Sequence, residues 1–300
     1  MKHNLKITAI LLAMFIITQF IGLYVVNHYS TSEKGLPYGM ETPKIEKEID
    51  FYTIFPSLII AFVIAITLMI FLSKFKAEFF LKLWFFVVII IALGITLNAP
   101  ISFLKYSSSI AFLIALPLAY IKIYRRNFLV HNSTELLVYP GIAAVFVPIL
   151  NIWTIIVLLI LISIYDMWAV WHSGIMQKMA KYQIQKLNIF SGFFIPYASD
   201  KVKEQIRNMK KILSKKQLAK KKIKVNIAIL GGGDVVFPII TAGVMLRSFG
   251  LIPALFAIAG ATLGLTYLFF FAEKRKFYPA MPFISTGIFI GMIIAWALQI

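Results

Sequence analysis

Apolar runs long enough to cross a lipid bilayer recur from one end of this chain to the other, and that repetition limits what the chain can fold into. A helix needs roughly 20 predominantly apolar residues to cross the hydrocarbon. Runs of that order lie near residues 7–26, 51–73, 79–98, 101–121, 135–150, 152–173, 225–246, 249–271 and 279–299. Hydrophobic residues make up 60% of the 300 and charged residues 14%, which is more apolar surface than one water-soluble core can bury. The expected fold class is therefore an all-α polytopic membrane protein with nine transmembrane helices. The first run is too long for a secretory signal, whose apolar region spans about 7 to 15 residues before a small-residue cleavage site. It ends instead in Val25, Val26, Asn27 and His28. Pro117, Pro140 and Pro148 interrupt the fourth and fifth runs, which membrane helices tolerate when neighbours satisfy the freed carbonyls.

Basic residues test that count, because they accumulate in alternate joints on the inner side of a membrane. With the N-terminus inside, the inner segments hold twenty-five of the thirty Lys and Arg residues, fourteen of them in the stretch 174–224. The outer joints hold Lys34, Lys44, Lys47, Lys105 and Arg247, and the first of these joints also carries five acids. The expected location is thus a cell membrane crossed many times, with the N-terminus and the 174–224 loop cytoplasmic and the C-terminus outside. The net charge of +18 follows from this bias and does not call for a nucleic-acid partner. The 174–224 loop is richer in charge than topology requires. Contact with anionic lipid headgroups, at about 1 kcal/mol per nearby basic residue, and a solvated amphipathic hairpin are equal readings of it.

The chain has no cysteine, which removes disulfides, thiolate metal sites and a thiol nucleophile together. His3, His28, His131 and His172 lie near chain ends or polar joints, and none forms the H-E-x-x-H pair of zinc proteases. No metal or cofactor is expected.

Of the twelve acidic residues, only Asp166 and Asp234 fall well inside apolar runs. A carboxylate at the centre of a membrane helix costs roughly 2.5–3.5 kcal/mol on insertion scales, so it marks a pathway, a relay or a catalytic site. Asp166 lies 12 residues before Lys178 and Asp234 lies 10 after Lys224. At about 1.5 Å per helical residue both acids sit some 15–18 Å from the nearest inner basic residue, so they can meet on adjacent antiparallel helices. Two carboxylates within hydrogen-bond reach share one proton and thereby supply an acid and a base to a hydrolytic reaction. The same two acids also suit a proton relay in a carrier. A carrier more often shows matched repeated halves, and no convincing internal repeat is present here.

Asp234 follows Gly231, Gly232 and Gly233, where missing side chains allow close backbone approach, and Pro238 follows four residues later. Asp166 follows Tyr165, which points to a different helix face and is expected to line a cleft or touch substrate. The Tyr165-Asp166 pair, the Gly231-Gly232-Gly233-Asp234 string and Pro279-Ala280-Met281 opening the ninth run resemble the YD, GxGD and PAL signatures of the presenilin and signal peptide peptidase family, in family order. The resemblance implies an intramembrane aspartyl protease with Asp166 and Asp234 as the catalytic pair, acting on single-span transmembrane substrates. It also implies that Pro279, Ala280 and Met281 shape the cleft. Met281 stands where the family has leucine, an apolar replacement of similar volume. Pro282 extends the motif to Pro-Ala-Met-Pro, which is expected to leave a broken helix start whose free backbone groups pair with substrate. Length and lack of cysteine look like the archaeal or bacterial-style members, so obligate partner subunits are not indicated.

The organisation expected is a six-span unit over 1–173 ending in the YD helix, the basic connecting loop 174–224, and a three-span unit over 225–300. The charge bias generates a direct test: a reactive tag placed in 174–224 is expected to be protected from membrane-impermeant reagents added outside intact cells.

Overall fold

The computed structural model describes residues 5–31, 35–41, 45, 48–75, 77–125, 127–172, 182, 189, 191–197, 226–273 and 278–299. Among these residues nine long helices carry the fold: α1 Leu5–Thr31, α2 Glu48–Lys74, α3 Glu78–Ile101, α4 Ser107–Tyr124, α5 Phe128–Phe146, α6 Ile152–Trp171, α7 Gly232–Phe249, α8 Leu251–Phe271 and α9 Met281–Ala297. Eight are long and apolar enough to cross a membrane, and α9 is a shorter apolar helix of 17 residues. The polytopic all-α expectation holds. Large side chains such as Phe79, Trp84, Leu113, Leu263 and Phe271 stand exposed on the helix faces, where lipid is the matching solvent.

The core forms where α1, α5, α6, α7, α8 and α9 meet, around Leu11, Phe15, Tyr139, Leu158, Ile239, Ala257 and Ile284. A second cluster joins α3, α4 and α5. None of the described residues of α2 is buried, so that helix lies at the periphery. Close approach rather than large side chains seals α8 to α9. A Cβ on Gly260 would fall 2.0 Å from the Gly287 carbonyl oxygen, and one on Gly264 would fall 2.2 Å from that of Phe283. Gly287 and Gly291 are equally filled by backbone from the opposite helix. These glycines therefore serve contacts within one chain, as small residues do in membrane helices. Between α7 and α8 the chain reverses at Gly250 alone, with φ +96°, a region that favours glycine.

Three expected boundaries move. The fourth helix starts at Ser107, not near 101, after a short turn. The fifth starts at Phe128, not 135, because the Asn127 side chain accepts hydrogen bonds from the Leu129 and Val130 amides and caps the helix. His131 and Glu135 thus leave the polar joint and become buried helix positions. A 3-10 turn at Val147–Ile149 ends this segment, and Arg247 of α7 donates to the carbonyls of Val147 and Leu150 there.

The largest correction concerns the seventh span, expected as helix from 225. Asn226–Gly231 is a strand, β2, paired antiparallel with β1, Gly192–Tyr197, in the register Phe193↔Leu230, Ile195↔Ala228 and Tyr197↔Asn226. Burial alternates along β2: Ala228 and Leu230 face the core, while Ile227 and Ile229 are exposed. That period of two is the mark of a half-buried strand. Most of the 174–224 loop lies outside the described residues; β1 is its main described part.

Replacing Gly287 by Val is expected to force α8 and α9 apart, at a cost of about 3 kcal/mol or more. Thermal unfolding in detergent checks this, with Leu263→Ala on the exposed face of α8 expected to melt close to the parent protein.

Candidate active site

Asp166 sits in the penultimate turn of α6 and is 6% exposed. Its Oδ2 accepts a hydrogen bond of 3.0 Å from the Met281 amide, the first residue of α9, and the Ala280 amide adds a second interaction. A helix N-terminus presents unpaired amides and a positive dipole end, so it suits a carboxylate. The Pro279-Ala280-Met281 string is therefore the segment that holds Asp166. Met281 is 3% exposed and Pro279 is also buried. Its backbone supplies the contact, which explains why an apolar residue of similar size serves in place of leucine. One turn further into the bundle, Ser163 donates to Ser285 at 3.0 Å and fixes α6 against α9 at the same height. The expectation that the Pro-Ala-Met-Pro backbone stands free for substrate is corrected here, because the Met281 amide is committed to Asp166.

Asp234 is half-buried in the first turn of α7, with Gly231 as N-cap. It is not a mid-helix residue, as the apolar run implied. Its carboxylate folds back over Gly231, where an added Cβ would lie 3.1 Å from Oδ2. The first turn of a helix favours a carboxylate for the same reason that α9 does at Asp166. Pro238, four residues on, cannot donate to the Asp234 carbonyl. Next along, the Val235 carbonyl accepts a hydrogen bond of 3.1 Å from the fully buried Gln19 of α1. The head of α7 is thus tied to α1 through the Val235 carbonyl.

Helices α6, α7 and α9 touch one another pairwise. Two reversals separate α7 from α9, one at Gly250 and one after α8, so both begin at the same end of the bundle. The end of α6 meets the start of α9 through Asp166 and Met281. Asp166 and the other two motif strings therefore lie at one end of a three-helix junction. Tyr165 stands elsewhere, 43% exposed on the outward face of α6 beside the Trp168 ring, whose centroid is 6.4 Å away.

The three glycines before Asp234 do different things. A Cβ on Gly232 would lie 2.8 Å from Ser191 Oγ and 2.9 Å from the Tyr139 hydroxyl, whereas one on Gly233 would meet only Phe237 at an ordinary 3.6 Å. The Gly232 amide donates to the Ser191 carbonyl at 3.3 Å. Sequence reading missed the partner of this segment, a polar stripe on α5 made by His131, Asn132, Glu135 and Tyr139. Its spacing of three and four residues was visible in HNSTELLVY as one face of a helix. Among the described residues no group of three His, Cys, Asp or Glu side chains is placed to hold a metal ion.

Comparison with known proteins places this arrangement. A family model described as signal-peptide peptidase, presenilin aspartyl protease matches residues 12–299. Among solved structures, a presenilin family intramembrane aspartate protease in a C222 crystal form superposes with a TM-score of 0.60 at 16% identity, covering 97% of this chain and 99% of that one. A structure in the P2 space group, described in the same words, gives 0.60 at 18% identity, covering 96% of each chain. No curated protein gives a significant match.

Gly232→Ala is expected to lower the melting midpoint and displace the head of α7, while Gly233→Ala leaves the midpoint near that of the parent. The two midpoints, measured side by side in detergent, check the steric difference.

Proposed function

The chain belongs to the signal-peptide peptidase and presenilin aspartyl protease family, and from that premise we propose that Asp166 and Asp234 are the pair that activates water in its active site. The protein is an intramembrane aspartyl protease of the polytopic membrane class. The carrier reading has no support beside this. The single observation that carries the residue assignment is the docking of the Ala280 and Met281 amides onto Asp166, at the junction where α7 also begins.

In the proposed reaction the two carboxyls share one proton. The ionised member takes a proton from water as the water oxygen attacks the carbonyl carbon of the scissile peptide. The protonated member donates to the carbonyl oxygen, giving a tetrahedral intermediate. Collapse of that intermediate breaks the C–N bond, and a proton passes to the leaving amine. Below the lower apparent pKa of the pair no base remains, and above the upper one no acid remains, so the rate is bell-shaped in pH.

Substrates are read as single-span transmembrane segments that must unwind to expose a peptide bond. β1 is covered on its outer edge by α5 side chains bonded to Gly192 and Phe194. The alternate residues Ile227 and Ile229 of β2 direct their backbone groups to the opposite edge. That edge runs toward Gly231 and Asp234, which supports it, rather than the Pro-Ala-Met-Pro segment, as the place where an extended substrate pairs. Tyr165, on the outer face of α6, is assigned to substrate contact, and Gly231, Gly232 and Gly233 to shaping the cleft.

The remaining assignments follow the charge pattern. The protein spans the cell membrane with its N-terminus and 174–224 loop in the cytoplasm and its C-terminus outside, and the loop's fourteen basic residues suit either contact with anionic headgroups or a solvated hairpin. The units 1–173, 174–224 and 225–300 supply the YD helix, the connecting loop and the GxGD and PAL-like motifs, and obligate partner subunits are not invoked.

Incubation of the purified protein with a transmembrane peptide is expected to yield fragments, and Asp166→Asn or Asp234→Asn is expected to abolish them. Cutting by either variant at the parent rate, or a flat rate from acidic to neutral pH, overturns the dyad.

A further inference from the structure

Besides the two aspartates, the described residues hold a buried cluster of ionisable groups that the proposed chemistry does not use. Lys122 Nζ on α4 lies 2.7 Å from Glu135 Oε1 on α5, with both side chains almost wholly enclosed. His131 Nε2, one turn earlier on α5, is 3.5 Å from the same oxygen. Buried ion pairs are poor substitutes for apolar packing as a way to join two helices, because desolvation opposes them. The use of this cluster lies in what else it touches.

Its other contacts go to the backbone of β1. Glu135 Oε1 accepts the Gly192 amide at 3.3 Å, and His131 Nε2 lies 2.8 Å from the Gly192 carbonyl. Beside them, Asn132 Oδ1 accepts the Phe194 amide at 3.1 Å while its Nδ2 donates to the Phe194 carbonyl at 2.8 Å. Three side chains of α5 thus occupy one edge of β1 at alternate residues, as a neighbouring strand would. Lys122 Nζ neutralises the same Glu135 oxygen that accepts the Gly192 amide. The opposite edge of β1 pairs with β2, and Ser191, immediately before β1, accepts the Gly232 amide at 3.3 Å. Tyr139, on the same face of α5 as Glu135, fills the space under Gly232. Asp234 follows two residues later.

We propose that Glu135, His131 and Asn132 are positioning residues for Asp234: they lock β1 to α5, and β1 sets the height and angle at which α7 begins. The proposal rests on Asp234 being catalytic. Removing the Glu135 charge alone would strand Lys122, so the decisive comparison uses charge-free pairs. Lys122→Met with Glu135→Gln keeps an oxygen that accepts the Gly192 amide; Lys122→Met with Glu135→Leu does not.

With the full chain purified in detergent and a transmembrane peptide as substrate, the Gln pair is expected to keep kcat within about twofold of the parent. The Leu pair is expected to lose about tenfold or more in kcat with KM nearly unchanged, since misplacement of a reacting group by an ångström can cost 10²-fold. Its bell-shaped pH profile is also expected to narrow, because carboxyls moved apart interact less and their apparent pKa values draw together. Equal kcat and equal pH profiles for the two pairs overturn the proposal, whatever their melting points. Should the Leu pair fail to fold, Asn132→Ala decides: it frees Phe194 without touching a charge, and a loss in kcat supports the latch while an unchanged kcat overturns it. Asp234→Asn in the same series separates the two claims, since activity there sinks the catalytic assignment, whereas an inactive Asp234→Asn beside a fully active Leu pair sinks the latch alone.

Discussion

Lipid offers no hydrogen bonds, so each backbone amide and carbonyl at membrane depth must find its partner inside the protein. That constraint explains why a strand next to Asp234 has so much built around it. β2 satisfies one edge through β1, and β1 satisfies its own outer edge through Asn132, His131 and Glu135 of α5. The first amide of α7 is taken by Ser191, and the first amide of α9 by Asp166. The strand pair and the starts of α7 and α9 thus collect at one end of the bundle, where Asp166 also lies. A catalyst for peptide hydrolysis inside a membrane needs both polarity and structure that is not continuous helix. This fold obtains both in the same place.

The helices themselves were legible in the sequence because their apolar runs match the thickness of the hydrocarbon and their basic flanks alternate. The strand was not. NIAIL reads equally as a helix start or a strand when only hydrophobicity is weighed, and the arbiter, pairing with GFFIPY some thirty residues earlier, is a non-local contact. The glycine run and the alternating exposure of Ile227 and Ile229 fit the strand only once that partner is placed. Asp166 lies within α6 as its apolar run implies, because that helix is unbroken, while Asp234 lies in the first turn of α7 rather than well inside a helix, because the residues before it form a strand.

Glu135 shows a different limit. It stood at the edge of an apolar run and was treated as a boundary residue, since a helix end is where an acid is ordinarily tolerated. What the run could not reveal is that Lys122 from α4 arrives to neutralise it and that Asn127 starts the helix eight residues earlier. Apolar counting finds where helices can cross. It does not find the polar residues that a helix can bury because its neighbours supply their partners.

The glycine seam between α8 and α9 bears on how the chain can vary. Most membrane-facing positions need only remain greasy, so Leu263 or Phe271 can drift among apolar residues with little effect on packing. Gly260, Gly264, Gly287 and Gly291 have no such latitude, because each faces the backbone of the other helix rather than a movable side chain. Nor can a compensating change opposite restore the fit, as a carbonyl cannot be made smaller. The seam that sets the height of Met281 beside Asp166 is therefore among the least evolvable parts of the molecule, although it contributes no atom to the chemistry.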